Sequence, residues 1–459
     1  MAPATLVRMP FARSTVVRAA ALWLAFVVVH LWLSVAVLHG PHTPLNDVST
    51  VYRDWIFDGA HGLGWVGLDR VWVYPTVALL PMLLAAVAGF VHYSVVWLLL
   101  VALLDAGALA LLTRGGTRFR AVGWWWLAFL VLLGPIAVGR IDSITIPIAM
   151  AGVLVVSRRP LVAGILLALA TWIKVWPAAL LLALLIAARR RIDVAAGAVG
   201  TSVVVVLVAF FVGGNWAAIT GFVGQQTGRG LQIEAPVTTF WLWLEALGVS
   251  GVSTAFDQTL LTYQVSGPGV SVAANAMTAV MAVVFLGIVL LGVWASRRGV
   301  PASHLLAPLG LALTTAFIVT NKVGSPQYEG WLAVPVVLGL VLARGGARAF
   351  VAPAILVSVI AALTQVVYPW GYDALVLADR WMVVLITVRN GLLVALLVVA
   401  LVRVVAAGRA GADTAEARPR GRGLARGEES GEAATADVAE AHSAGVRAQG
   451  RRRGGRIDA

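Results

Sequence analysis

The sequence predicts an all-α polytopic membrane protein with about 12 transmembrane helices, and three observations carry that prediction. Of 459 residues, 60% are hydrophobic and only 12% charged, so a water-soluble fold would have a core far larger than its surface could cover. Apolar runs at 17–38, 93–112, 192–212, 270–295 and 381–402 are each long enough to cross a hydrocarbon layer of roughly 30 Å as helices. Helices are required because lipid offers the backbone no partners. Basic residues fall in short clusters between apolar segments: Arg114, Arg118 and Arg120; Arg158 and Arg159; Arg189, Arg190 and Arg191; Arg297 and Arg298; Arg344 and Arg348; Arg403 and Arg409. That is the positive-inside pattern. It explains the formal charge of +13 without nucleic acid. The absence of cysteine excludes disulfides, thiolate metal sites and cysteine nucleophiles.

The first run follows Arg8, Arg13 and Arg18. It is long for a secretory signal and has no convincing small-residue cleavage site near His39 to Thr43, so it is expected to remain as a first helix with a cytoplasmic amino terminus. Placing every Arg cluster in the cytoplasm fixes the parity of crossings. Twelve spans satisfy it, with both termini inside: 17–38, 93–112, 121–138, 141–156, 161–173, 175–188, 192–212, 270–295, 303–319, 330–343, 349–367 and 381–402. Segment 73–89 is apolar enough to span, yet counting it would put Arg114 to Arg120 outside, so a juxtamembrane or re-entrant helix is expected there. Segment 161–188 has to go out and back in fewer than thirty residues, with Trp172 to Pro177 at the apex. Both are more easily housed inside a helical bundle than against lipid. Two long segments, 39–92 and 213–269, then lie outside, and loops on this scale are more often functional than connective. From 410 to 459 Ala, Gly, Arg and Glu dominate, which predicts a disordered cytoplasmic tail after a membrane domain over 1–409.

Several residues could carry chemistry on the outer side. Asp47 lies just past the outer end of the first helix, in HTPLNDVSTVYRDWI. A carboxylate held against the membrane surface among Trp and Tyr is partly desolvated, which strengthens it as a general base; a solvated loop residue or helix cap is the plainer alternative. Asp54, Asp58 and Asp69 compete on the same loop. The chain holds 32 arginines and only two lysines, Lys174 and Lys322, both near outer helix ends. A compact ammonium in a semi-buried site binds phosphate as a point charge, whereas snorkelling is the bland reading. Ser325, Gln327 and Tyr328 neighbour Lys322. Arg140 and Asp142 share a short external turn, where the local expectation is a charge pair that ties the turn together. In GQQTGRGLQIEAPVTTFW, Gln225, Gln226, Arg229, Gln232 and Glu234 suit sugar hydroxyls, with Trp241 or Trp243 as a stacking surface or as part of the interfacial belt. His39, His42 and His61 share the first loop but lack metal-ligand spacing, so neither a metal nor another cofactor is expected. No phosphate-binding or dinucleotide glycine loop follows a strand.

Five segments, NDVSTVY, WVYPTVALLPM, GRIDSITIPIAMAGVLV, AGILLALATWIKVWPAALLL and NKVGSPQYEGWLAVP, resemble in order those of glycosyltransferase family 87, most specifically through IKVWP and NKVGSPQY. The resemblance runs through most of 20–345. It implies a GT-C-like bundle and an extracytoplasmic active site in a bacterial plasma membrane. There a sugar, mannose in this family, would pass from a polyprenyl-phosphate donor to a glycolipid or glycan acceptor with inversion. It carries the base onto Asp47 and suggests donor-phosphate contacts at Lys174 and Lys322. Two positions depart from the family pattern: Thr76 follows Tyr74 and Pro75 where a second Pro is usual, and Arg140 stands where Gln is common. The competing class is a lipid-linked sugar flippase or other secondary transporter, which polar residues inside spans would favour; Asp105 and Arg389 are such residues.

Overall fold

The computed structural model describes residues 10–114, 117–226, 229–342 and 350–416. The chain opens with α1 (Pro10–His39). The first long loop carries α2 (Arg53–Ala60) and α3 (Leu79–Ala85) before α4 (Tyr93–Thr113) and α5 (Thr117–Leu133). Three shorter helices follow, α6 (Asp142–Val155), α7 (Pro160–Ile173) and α8 (Ala178–Ala187), then α9 (Arg191–Phe211). The second long loop holds α10 (Trp216–Thr220), α11 (Thr239–Ala246) and an antiparallel hairpin of β1 (Ser253–Asp257) and β2 (Thr262–Ser266). The chain continues through α12 (Val270–Arg297), α13 (Ala302–Val319), α14 (Ala333–Leu342), α15 (Val351–Gln365), α16 (Tyr372–Val376) and α17 (Arg380–Glu416).

Each of the twelve expected spans contains a helix, but they are of two kinds. Among the described residues eight are long and apolar enough to cross a membrane, those built on α1, α4, α5, α9, α12, α13, α15 and α17. The other four, α6, α7, α8 and the stretch Pro326–Leu342 that ends in α14, are apolar helices of 10–17 residues. The segment expected to lie beside or dip into the membrane is likewise a short helix, Thr76–Ala85. α17 runs unbroken past 410 to Glu416; the tail expected beyond it lies outside the described residues, as do Arg344 and Arg348.

α13 sits at the centre, buried continuously from Leu305 to Ala316 and packed by α8, α12, α14 and α17. The outer helices turn apolar rows away from it: Val199, Val203 and Leu207 on α9, and Val283, Leu286 and Leu290 on α12, are exposed. Rows at three- and four-residue spacing form a continuous stripe, and lipid is the medium that accepts such a stripe without cost. α7 and α9 approach backbone to backbone. A Cβ at Gly164 would strike the Val194 carbonyl and one at Gly197 that of Leu161, so glycine is what allows this contact, as in other small-residue membrane interfaces.

The two in-span polar residues are paired. His30 Nε2 lies 3.1 Å from Asp105 Oδ2, and Arg389 Nη1 donates to Glu329 Oε1 at 3.0 Å. Burying Arg389 or Glu329 alone would leave an uncompensated charge, and Asp105 without His30 would leave a buried carboxyl without its partner. α6 starts at Asp142 and leads to Arg158, α7 returns from Arg159 to Lys174, and α13 runs from Arg298 toward Lys322. The bundle thus has an arginine end and an opposite end where Asp142, Lys174 and Lys322 gather.

Candidate active site

Asp47 opens a wide helical turn, Asp47–Tyr52, that passes directly into α2. Its carboxylate therefore sits in a first helical turn, where the helix dipole favours negative charge. Oδ2 lies 3.3 Å from Arg140 Nε, and 36% of the side chain remains exposed. Arg140 comes from the turn before α6 and is itself anchored. Nη1 donates to the Pro44 carbonyl and Nη2 reaches the Tyr368 hydroxyl at 3.5 Å. Burial opposes the charge on Arg140, but Asp47, Tyr368, Tyr52 and Tyr74 together outweigh burial and hold the guanidinium firmly protonated. The competing loop carboxylates are tied locally: Asp54 to Arg53 at 3.1 Å, Asp58 to Arg70 at 3.9 Å, and Asp69 to the Trp65 N–H at 2.7 Å.

The expected Arg140–Asp142 pair does not form. The two side chains leave the turn in different directions, and Asp142 takes Lys174 instead, with Nζ 2.7 Å from Oδ2. Trp331 Nε1 donates to the other carboxylate oxygen at 2.6 Å. Lys174 caps α7 in an extended conformation, which swings its ammonium into an aromatic enclosure. Nζ lies 5.0 Å from the ring centre of Tyr328, 5.7 Å from Tyr74 and 5.8 Å from Trp331. Such contacts reinforce a cation most when it is desolvated. Trp331 is sandwiched, with Tyr328 stacked at 4.1 Å on it and Trp176 at 5.3 Å. Trp176 is held in turn by a hydrogen bond to Thr145 Oγ1 at 2.9 Å.

Tyr74 links the two charge pairs. Its hydroxyl is 3.3 Å from that of Tyr52, and Tyr52 accepts from the Ile141 N–H at 3.4 Å, which fastens the Asp47 turn to the Arg140 turn. Burial pushes the Tyr74 phenol well above its ordinary range, and the negative charges of Asp47 and Asp142 add to that. Arg229 closes the site from the second long loop. Its charge acts on Lys174 and Tyr328, and its buried Nε has no hydrogen-bond partner among the described residues.

The loop after Arg229 is pinned over the segment 321–332. Gln232 N donates to the Lys322 carbonyl at 3.0 Å, and the backbone of Glu234 and Ala235 lies so close to Gly324 that a Cβ there would collide. Lys322 and Gln327 are buried in that segment, beside Tyr328 along the chain. Glu234 is buried too; burial pushes its carboxyl up to about 8, with Arg389 opposing and Glu329 adding to the shift. Trp241 and Trp243, expected as a stacking surface, instead brace the loop through N–H bonds to Pro268 O at 3.0 Å and Thr387 Oγ1 at 2.9 Å. The aromatic walls are Tyr74, Tyr328 and Trp331. Trp331 was legible only as the end of NKVGSPQYEGW, and Tyr52 as the end of NDVSTVY.

A half-open carboxylate, two cations and aromatic walls at one end of a membrane bundle can serve a displacement in which a hydroxyl loses a proton and an anion departs. No curated protein and no solved structure matches the chain. Residues 72–306, just over half of its length, match glycosyltransferase family 87, and the chain belongs to that family of membrane glycosyltransferases.

Proposed function

We propose that the chain transfers mannose from a polyprenyl-phosphate donor to a glycolipid or glycan acceptor, with inversion, on the extracytoplasmic face of a bacterial plasma membrane. The acceptor hydroxyl oxygen attacks the anomeric carbon as its proton passes to Asp47. The bond from that carbon to the phosphate oxygen breaks, and polyprenyl phosphate leaves with its charge facing Arg229 and Lys174. The observation that carries this reading is the placement of Asp47: alone among the described first-loop carboxylates it combines an open face with a largely buried guanidinium partner. Lys174 already neutralises Asp142, so Arg229, with its unpartnered Nε, supports the phosphate role more strongly. Lys322, Gln327 and Tyr328 line the donor side, and Tyr74 and Arg140 orient the base.

The outward assignment rests on the Arg clusters at the opposite end of the bundle. A transporter is less well supported, because Asp105 and Arg389 are engaged in buried pairs. Incubating purified protein with radiolabelled polyprenyl-phosphate mannose and membrane lipid extract should yield a labelled glycolipid or glycan. Label recovered only as unreacted donor, in the presence of folded protein, would refute the reading.

A further inference from the structure

A groove of about 510 Å³ lies between α5 and α15 over Leu340 of α14. It is lined almost entirely by apolar atoms, including Ala121, Leu132, Ala354 and Ala362. Its lip residues Val351, Ile355 and Val359 are exposed, so it opens on the same lipid-facing surface as the rest of the bundle. Its polar groups satisfy each other: Trp125 Nε1 donates to Ser358 Oγ at 3.1 Å, and Ser358 donates to the Ala354 carbonyl at 2.8 Å. From Ala121 to Leu132 it is about 16 Å long at helical rise. It stops just short of the site. Gln365 fills the space over Gly134, and above that contact stand Tyr368, Arg140 and Asp47 in sequence, 3.5 Å and 3.3 Å apart.

We propose that this groove takes one hydrocarbon chain of the acceptor, which is therefore a lipid. The inference rests on the transferase reading above. The bilayer supplies hydrocarbon to any such surface; direction is what assigns the chain to the acceptor. In an inverting displacement the attacking oxygen and the departing phosphate lie on opposite sides of the anomeric carbon. The base touches the attacking hydroxyl, so Asp47 marks the acceptor side and Arg229 with Lys174 marks the phosphate side. The groove ends beneath the partners of Asp47, and its walls α5 and α15 carry no donor-side residue; Leu340 beneath it lies at the far end of the stretch that holds Gln327 and Tyr328. A chain lying in it delivers its headgroup to the base.

Ala362→Phe and Val359→Trp obstruct the groove at two heights. In vesicles, a synthetic mannosyl diacylglycerol with a diazirine midway along each chain should photolabel 121–132 and 351–362, and excess polyprenyl phosphate should not displace it. Excluding two methylene groups should cut that labelling about tenfold in both variants. With polyprenyl-phosphate mannose as donor, both variants should raise the KM for membrane lipid extract by about the same factor. The donor KM and the rate with methyl mannoside, which has no chain to seat, should stay unchanged. Displacement of label by polyprenyl phosphate, or a raised donor KM, would give the groove to the donor and overturn the proposal. Equal labelling of wild type and both variants would leave only bulk lipid there and overturn it equally. A wild type that labels as described yet transfers to no acceptor would refute the transferase reading and leave the lipid-chain site standing; normal transfer with no label in the groove would refute the site alone.

Discussion

Two carboxylate–cation pairs stand at the same end of the bundle, close enough that Tyr74 responds to both, and they are equipped for different work. Asp142 is almost wholly buried, and both of its oxygens are taken, one by Lys174 at 2.7 Å and the other by Trp331 at 2.6 Å. Asp47 has one cationic partner at 3.3 Å and more than a third of its surface open. A carboxylate sealed from solvent, with a partner on each oxygen, has no open face for a substrate hydroxyl. The comparison teaches that saturation, not proximity to a cation, separates an anchoring carboxylate from one that can act as a base.

The largest expected effect falls on the open pair. Asp47→Asn keeps the size and removes the proton acceptor, so turnover should drop roughly 10²- to 10⁴-fold while donor binding stays close to wild type and the unfolding temperature falls less than in Asp142→Asn, because Arg140 keeps its bonds to the Pro44 carbonyl and the Tyr368 hydroxyl. Wild-type turnover in that variant, with transfer abolished by Asp54→Asn or Asp58→Asn, would move the base along the loop.

The saturated pair should respond in stability instead. Asp142→Asn leaves Lys174 buried without its counter-charge, a change that costs about 3–5 kcal/mol in comparable pairs, read as a lowered unfolding temperature in detergent. Adding Lys174→Met should recover part of that loss. A fully stable Asp142→Asn protein with lost turnover would erase the distinction between the pairs.

Smaller again is the effect on the phosphate side. Arg229→Ala should weaken kcat/KM for the donor by about 1.5–3 kcal/mol, the range for a hydrogen bond to a charged group. Lys322→Ala should act in the same direction. A silent Arg229→Ala beside an impaired Lys322→Ala would transfer the phosphate contact to the lysine.

The mildest test concerns pH. Glu234 has its carboxyl raised by burial to about 8, so the folded state binds its proton more tightly than the unfolded chain does. That contribution is complete below the unfolded value near 4.3 and is lost as pH rises through about 8. Unfolding temperature should fall between pH 6 and 9 in the wild type more than in Glu234→Gln; parallel curves would show that Glu234 does not set the slope.

The eight long spans were legible because lipid demands unbroken apolar helices, and Lys174 and Tyr328 were legible through IKVWP and NKVGSPQY. Pairing was not. Arg140 and Asp142 are neighbours in sequence, yet each finds its partner far along the chain, and only packing of the first loop and of α7 against α6 decides which. Trp241 and Trp243 carry the composition of a sugar platform, but their N–H groups are committed to Pro268 and Thr387. The hairpin escaped notice because its strands are five residues each in a loop without strong alternation.

The brevity of α7 and α8 has a consequence for the bilayer itself. Helices of 14 and 10 residues rise about 21 Å and 15 Å, against hydrocarbon of roughly 30 Å. Starting from the arginine end, neither reaches the far headgroup plane, and the first long loop, whose Thr76–Ala78 turn packs on α7, fills the remaining depth of the bilayer there. Lys174, at the end of α7, therefore lies below that plane, enclosed by Tyr74, Tyr328 and Trp331. In the reaction proposed above, the sugar would be met below the membrane surface rather than lifted clear of it.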